Sequence, residues 1–426
     1  MANYVSSLSL LLLLILSRVA ISSNTNCEVI SRLFAREPST NNPTVAGSIE
    51  IWDPNTDYFQ CAGVRVVRYT LQPKRQIFPI HTSVDRLDYI VQGNVIFGLI
   101  ISECSQELDG EKNECHQILR VHSGDVFFSR AGETFFINND GNESLIVVGI
   151  SRISNTDPFR IFSLGGLTNI LAGFSSKFIT KAFNVTHELA TKLQRQIDLR
   201  GSTEYMTGGG FHLSSSPTTP PCPKQERKGS YNVNDESLCN INTRIAKISD
   251  PSRADLFIPR VGQLTTIDVH QLPVLESSQL SVTYTLLLKD VMRLPHWQNG
   301  YSAIYVVKGK CHIQVVDDNG KNVFDGIVKE GQLLLVPHSF LMAEQAKSEI
   351  VEYITFKTNG NPITSELTGR NSIINCLLLE VLTNAFEINK EEAKKVKLGR
   401  NETSLVKIIH NISEDEGASP FSRNYE

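Results

Sequence analysis

The chain repeats itself once. Leu87-Asp88-Tyr89-Ile90-Val91-Gln92-Gly93 parallels Ala303-Ile304-Tyr305-Val306-Val307-Lys308-Gly309, and Ser123-Gly124-Asp125-Val126-Phe127-Phe128 parallels Glu330-Gly331-Gln332-Leu333-Leu334-Leu335. Further on, Lys181-Ala182-Phe183-Asn184-Val185 parallels Asn384-Ala385-Phe386-Glu387-Ile388, each followed by a charged, Ala-containing stretch of helical pattern. The separations all lie near about 210 residues, far longer than the ~20–50-residue period of a solenoid. Two copies of one domain is the economical reading, and 426 residues suffice for two domains with a core each.

Within each copy the strand signals dominate. Residues 64–71, 89–101, 125–128 and 145–150 are β-branched and aromatic runs, separated by turns such as Gln92-Gly93-Asn94 and Asn139-Asp140-Gly141-Asn142. Residues 280–289, 303–316, 331–336 and 350–358 repeat the pattern. Many short antiparallel strands predict a sandwich or closed barrel, in which closure removes exposed edges. A helical pair follows each set of strands. Leu377, Val381, Leu382 and Ala385 recur at helical spacing, and Asn389 precedes Glu392 by three, a capping-box start for a helix over residues 391–397. The apolar face of such a pair packs either on its own barrel or on the same region of a neighbouring subunit. Between the copies, residues 214–234 hold Ser214-Ser215-Ser216-Pro217-Thr218-Thr219-Pro220-Pro221 and Lys224-Gln225-Glu226-Arg227-Lys228-Gly229. That composition cannot build a core and predicts an exposed linker open to proteolysis.

The start of the chain indicates its compartment. Residues 10–16 form an unbroken aliphatic run, too short for a span of about 20 residues but suited to the apolar region of a signal peptide. Ala20 and Ser22 would occupy the small-residue positions of a cleavage site near Ser22. No second apolar stretch is long enough to span, so no membrane association is expected once the signal is removed. Secretory entry permits disulfides among the eight cysteines. Asn142, Asn184, Asn401 and Asn411 each open an Asn-x-Ser/Thr sequon that the secretory pathway can glycosylate. The net charge of −4, with no Lys/Arg run, offers nothing to nucleic acid. The expected division is a signal peptide over 1–22, a first domain over 23–213, the linker over 214–234, a second domain over 235–412 and a polar tail over 413–426.

Several motifs then carry a family likeness. Asp235-Glu236-Ser237-Leu238-Cys239, Pro251-Ser252-Arg253-Ala254-Asp255-Leu256-Phe257-Ile258-Pro259-Arg260-Val261-Gly262, Pro295-His296-Trp297 and Glu352-Tyr353-Ile354-Thr355-Phe356-Lys357-Thr358-Asn359 resemble the basic chain of legumin-type (11S class) seed storage globulins. Ile51-Trp52-Asp53-Pro54-Asn55 and Phe59-Gln60-Cys61-Ala62-Gly63-Val64 resemble the acidic chain of that family. The likeness runs from about Cys27 to about Val406 and implies two tandem cupin jelly-roll barrels, each with a small helical extension. It also implies a proprotein that forms trimers in the ER, with itself or with paralogous globulin subunits. An Asn-directed vacuolar protease then cuts it once, and the cut trimers pair as hexamers in the protein storage vacuole. The cut would follow Asn232, where Val233 stands in place of the family's usual Gly. Cys27–Cys61 would bridge the acidic chain internally and Cys104–Cys239 would join the two chains. A local Cys104–Cys115 bridge across a polar hairpin loop remains open. Cys115, Cys222, Cys311 and Cys376 have no assigned partner, and Cys311, in a strand-like run, reads as a buried free thiol.

Enzymatic cupins hold Mn, Fe or Zn with a His-x-His pair and a Glu on one motif and a third His on the next. In the first copy His81 is read as the first of these, with Ser83 in the second place and Phe135 in the third. In the second copy the same places fall to His296, Gln298 and Met342. One His per barrel is not a metal site, and Phe or Met in the third place predicts an apolar, filled pocket. Gly-x-Ser-x-Gly, Walker and His-Glu-x-x-His motifs are absent, and Gly208-Gly209-Gly210 reads as a flexible turn. No catalytic residue, cofactor or metal is therefore expected, and the resemblance implies a nutrient reservoir. The alternatives are a germin-like metal-dependent enzyme, against which the missing histidines count, and a sugar-binding bicupin, which needs a polar barrel interior. Val233 and a linker without a Gln/Glu/Arg-rich insertion mark an atypical member.

Overall fold

The structure, a computed structural model, describes Cys27 and residues 32–44, 46–100, 116–153, 160–166, 168–196 and 244–408, with the short strands Glu107–Leu108, Glu111–Lys112 and Thr203–Tyr205. Each copy folds as two antiparallel sheets wrapped face to face into a jelly-roll barrel. In the first, one sheet runs Thr40–Thr44, Gly47–Ile51, Val64–Leu71, Leu145–Arg152, Arg86–Gln92, Asp125–Ser129 and Ile245–Lys247; the other runs Ile161–Ser163, Arg75–Thr82, Thr134–Asn139, Asn94–Ile100 and His116–His122. In the second, the order Leu256–Ile258, Gly262–Ile267, Ser281–Leu288, Ile350–Lys357, Ser302–Lys308 and Leu333–Val336 faces the order Asn322–Lys329, Lys310–Val316, Leu341–Ala346, Val291–Gln298 and Thr364–Glu366.

The first-named sheet of each barrel is buried on both faces, which is why its strands read as unbroken apolar runs. Along Arg86–Gln92, Leu87 and Tyr89 belong to a core shared by the two copies, while Ile90 belongs to the interior of its own barrel. Ser302–Lys308 does the same, with Ala303 and Tyr305 in the shared core and Ile304 and Val306 inside the second barrel. The run read over residues 89–101 is two strands, Arg86–Gln92 and Asn94–Ile100, in different sheets. The chain changes sheets at Gly93 (φ 89°), where a Cβ would stand 3.1 Å from the Ser144 carbonyl oxygen, and again at Gly309 (φ 84°) in the second copy.

Both copies carry the same bulge. Phe135 pairs with Ile80 but Ile137 with Ile77, so Phe78 and Pro79 oppose one residue. Met342 pairs with His296 but Glu344 with Arg293, so Leu294 and Pro295 do likewise. A proline has no N–H to give the ladder, and a bulge is where a strand accommodates it.

The barrels also exchange short segments. Ile245–Lys247, beyond the linker, pairs with Asp125–Ser129 of the first barrel, and Arg244 binds Glu133 there at 2.7 Å. In return Arg36 forms a β-bridge with Leu333 of the second barrel, and Leu33 N–H donates to the Val323 carbonyl at 2.9 Å.

Helices Ser176–Phe183 and His187–Leu193 follow the first set of strands, and Leu379–Phe386 and Lys390–Leu398 follow the second. The Asn389 side chain accepts from the N–H groups of Glu391 and Glu392, and Glu392 Oε2 accepts from Asn389 N–H, completing the capping box. Asn389→Ala is expected to cost about 1 kcal/mol, seen as faster amide exchange confined to the first turn of this helix. Leu382 and Ala393 are buried against the chain, but Leu378, Val381, Phe386, Val396 and Leu398 are exposed, as are Phe174, Phe178, Phe183 and Leu189 in the first copy. Each helical pair thus packs one stripe on its own chain and leaves a second uncovered. No helix among the described residues is long and apolar enough to cross a membrane.

Candidate functional site: the two barrel interiors

The strands of the first barrel enclose a cavity of about 240 Å³. Ile77, Ile80, Phe135, Ile137, Leu145 and Val147 form apolar wall, and Arg65, Tyr69, Arg86 and Asp88 form a polar end. Arg86 Nη2 donates to Asp88 Oδ1 at 2.6 Å and its Nη1 to the Tyr69 hydroxyl at 2.7 Å. The guanidinium also lies over the Tyr69 and Phe135 rings, 4.9 and 5.9 Å from their centroids. Asp88 is wholly buried, and its Oδ2 has no hydrogen-bond partner among the described residues. Burial pushes the Asp88 carboxyl up from the usual carboxylate range, and Arg86 draws it back. The pair fits because Gly149 lies opposite: a Cβ there would stand 1.9 Å from Asp88 Oδ1. In the second copy the corresponding places are Ile304 and Thr355, which pair in the same register.

The second barrel buries a different polar set: Arg293, His296, Gln298, Glu344, Tyr353, Thr355 and Lys357. His296 Nδ1 lies 2.9 Å from the Leu294 carbonyl oxygen, so that nitrogen carries the proton. Burial and the adjacent Arg293 charge hold the imidazole well below its ordinary value and therefore neutral. Glu344 lies 3.9 Å from Arg293 and 3.8 Å from His296. Burial raises its carboxyl to about 7 against the pull of Arg293, and burial with the Arg293 charge lowers Lys357 to about 7. Among the described residues, His296 Nε2 and the Gln298 amide nitrogen have no hydrogen-bond partner.

Two expectations require correction. His81 is not the inward residue of its strand. The bulge at Pro79 aligns Ile80 and Thr82 with His296 and Gln298, so Ile80 (not His81) opposes Phe135 and faces the interior. His81 is only half-buried, beside Thr134 and Phe162, and Ser83 lies beyond the strand, where its hydroxyl accepts from Arg160 N–H. The metal positions are therefore Ile80, Thr82 and Phe135 in one barrel and His296, Gln298 and Met342 in the other. A single imidazole does not fit the metal of enzymatic cupins, and no described group of three His, Cys, Asp or Glu side chains is placed to hold one. The expectation of filled apolar interiors is also overturned. Phe135 and Met342 are buried, but they share their barrels with the charged clusters above. Part of that charge has a signal in sequence: Asp88 and Lys357 are ionisable residues inside strand-like runs.

The other singled-out residues lie away from the interiors. Cys27 and Cys61 form a disulfide with Cα atoms 5.4 Å apart, tying the N-terminal segment to helix Asp57–Ala62. Cys311 is a buried free thiol and Cys376 an exposed one. Cys104, Cys115, Cys222, Cys239, Asn232, Val233 and Asn411 lie outside the described residues. Asn142 is exposed in a turn, Asn184 is exposed at a helix C-cap with φ 51°, and Asn401 is exposed after the last helix.

Residues 32–190 and 246–394 each match the family described as Cupin. The 11S globulin seed storage protein Ana o 2.0101 of Anacardium occidentale is 34% identical, over 91% of this chain and 94% of its own length. Cocosin 1 of Cocos nucifera is 32% identical over 90% of this chain and 89% of its own. Among solved structures, procruciferin, an 11S globulin from Brassica napus, has a TM-score of 0.79 at 30% identity and covers 90% of this chain and 99% of its own. The coconut allergen cocosin has the same TM-score at 32% identity, over 89% and 99% of the two chains. With two barrels, a repeated Pro bulge and relatives that align almost end to end, this chain belongs to the cupins, and within them to the 11S seed storage globulins.

Proposed function

We propose that this chain is a nutrient reservoir and not an enzyme: a secretory precursor, sorted through the ER to the protein storage vacuole, whose work is stable packing and timed release. Its membership among seed storage globulins carries that reading. The uncovered apolar stripes of both helical pairs support assembly into trimers, because such faces on a soluble chain need a partner. In this reading an Asn-directed protease cuts after Asn232, Cys104–Cys239 joins the two products, and the cut trimers pair as hexamers. Asn142, Asn184 and Asn401, all exposed, are the sequons we assign to glycosylation, with Asn411 as a fourth.

The segment exchange adds a consequence. After a cut at Asn232, Ile245–Lys247 would still belong to the first barrel's sheet and Arg36 to the second's. The two products are therefore expected to stay together under native conditions even when reduced, and to part only when reduced and denatured. Size-exclusion of reduced protein from mature seed, beside denaturing gels with and without reductant, measures this. One intact chain on the reducing denaturing gel would sink the cleavage at Asn232. Linked products after Cys239→Ser, on the gel without reductant, would sink the pairing.

A further inference from the structure

Storage leaves the first barrel's cavity unused. At about 240 Å³ it exceeds the roughly 150 Å³ apolar cavity that accepts benzene, so a two-ring aromatic is of the right order. Its walls are mostly aliphatic and aromatic, with Thr44, Ser48 and Thr70 among them, and its rim includes the exposed residues Asn42 and Ile161. At the polar end two atoms await a ligand. Asp88 Oδ2, on a side chain 1% exposed, accepts from no group among the described residues. The Tyr69 hydroxyl accepts from Arg86 and so keeps its own proton to donate. A buried acceptor and a half-buried donor, both held by Arg86 at one end of a mostly apolar chamber, are the usual form of a small-molecule site.

We propose that this cavity binds a small hydroxylated aromatic molecule, its rings among the apolar walls and its hydroxyl donating to Asp88 Oδ2 while accepting from Tyr69. A phenolic hydroxyl is donor and acceptor at one atom, which matches the pair. A hydrocarbon or an ether leaves Oδ2 unpartnered, and a carboxylate sets a second negative charge beside Asp88. The second barrel is an internal control, since Ile304 and Thr355 replace Asp88 and Gly149 there.

Titration of the full chain with 2-naphthol, followed by calorimetry or ligand-observed NMR, tests this. One saturable site is expected, with 2-methoxynaphthalene and 2-naphthoate at least tenfold weaker. Val147→Phe, which fills the chamber from an apolar wall, should abolish binding while thermal unfolding stays cooperative. Asp88→Asn, which keeps an oxygen for Arg86 but turns the free acceptor into a donor, should erase the preference for the naphthol over its methyl ether. Equal binding of naphthol and ether by the unmodified chain overturns the proposal. So does tighter binding of the naphthoate, binding that survives Val147→Phe, or no binding at all.

Discussion

Gly149→Ala is expected to lower the stability of the first barrel by about 3–5 kcal/mol, the range for disrupting a buried ion pair. The new Cβ would lie 1.9 Å from Asp88 Oδ1, 2.9 Å from its Cγ and 3.2 Å from Arg86 Nη2. Gly149 lies mid-strand in Leu145–Arg152 and is not among the residues with positive φ, so the effect is steric and not conformational. Asp88 cannot retreat and keep the 2.6 Å contact to Arg86, and any displacement strands a guanidinium that is 5% exposed. Amide exchange should localise the loss, with protection falling along Leu145–Arg152 and holding along Ser281–Leu288 of the other barrel. Asp88→Ala with Gly149→Ala should cost less than the two single changes summed, because the clash needs both groups. A neutral Gly149→Ala would mean that Asp88 does not occupy this place.

The second large effect is a pH dependence in the second barrel. Glu344 is raised to about 7 in the folded chain from an ordinary value of 4.5. Between these values the folded state holds the proton that the unfolded state has released, so stability falls as pH rises from about 4.5 to about 7. Above that window the buried carboxylate costs about 3 kcal/mol. Glu344→Gln, which removes the charge at nearly equal volume, should therefore stabilise the chain by about that amount at pH 8 and change it little at pH 4. Lys357, lowered to about 7 from 10.5, acts in the opposite sense and higher up, adding stability as pH rises from about 7 to 10.5. His296, held below 6.5, loses stability as pH falls beneath that value. Both groups persist in the variant, so the difference in denaturation midpoint between the two proteins reports the Glu344 charge together with its pull on Lys357. A difference that does not grow between pH 4 and pH 8 would contradict the burial of a titrating carboxyl there.

Much of the architecture is local and was legible. Residues 64–71 are a strand end for end, because VRVVRYTL has high β-propensity and turn residues on both sides. The capping box at Asn389 and Glu392 involves four consecutive residues and needs no distant partner. The strands that sequence reasoning missed, Arg75–Thr82, Thr134–Asn139, Val291–Gln298 and Leu341–Ala346, are those on which the interior depends. Arg75–Thr82 and Val291–Gln298 contain a proline and Leu341–Ala346 (LMAEQA) buries a glutamate, so these three violate the local pattern that marks a strand.

By itself the sequence determined the twin architecture, the strand-rich class, the helical pairs, the family and the shortage of imidazoles, since repeats, periodicity, caps and residue identities are carried along the chain. Only the tertiary structure decided which side chains face inward. Parity beyond a bulge depends on the partner strand, which is why Ile80 and not His81 enters the first barrel. Sheets covered on both faces lose the alternation from which an interior could be inferred, so the side to which Arg86 and Asp88 turn is not legible along the strand. They form a charged pair seated over Gly149, 61 positions from Asp88 in sequence and adjacent only across two paired strands. The shortage of histidines was thus legible from the residues, while the polar clusters inside the barrels exist only because the barrels close.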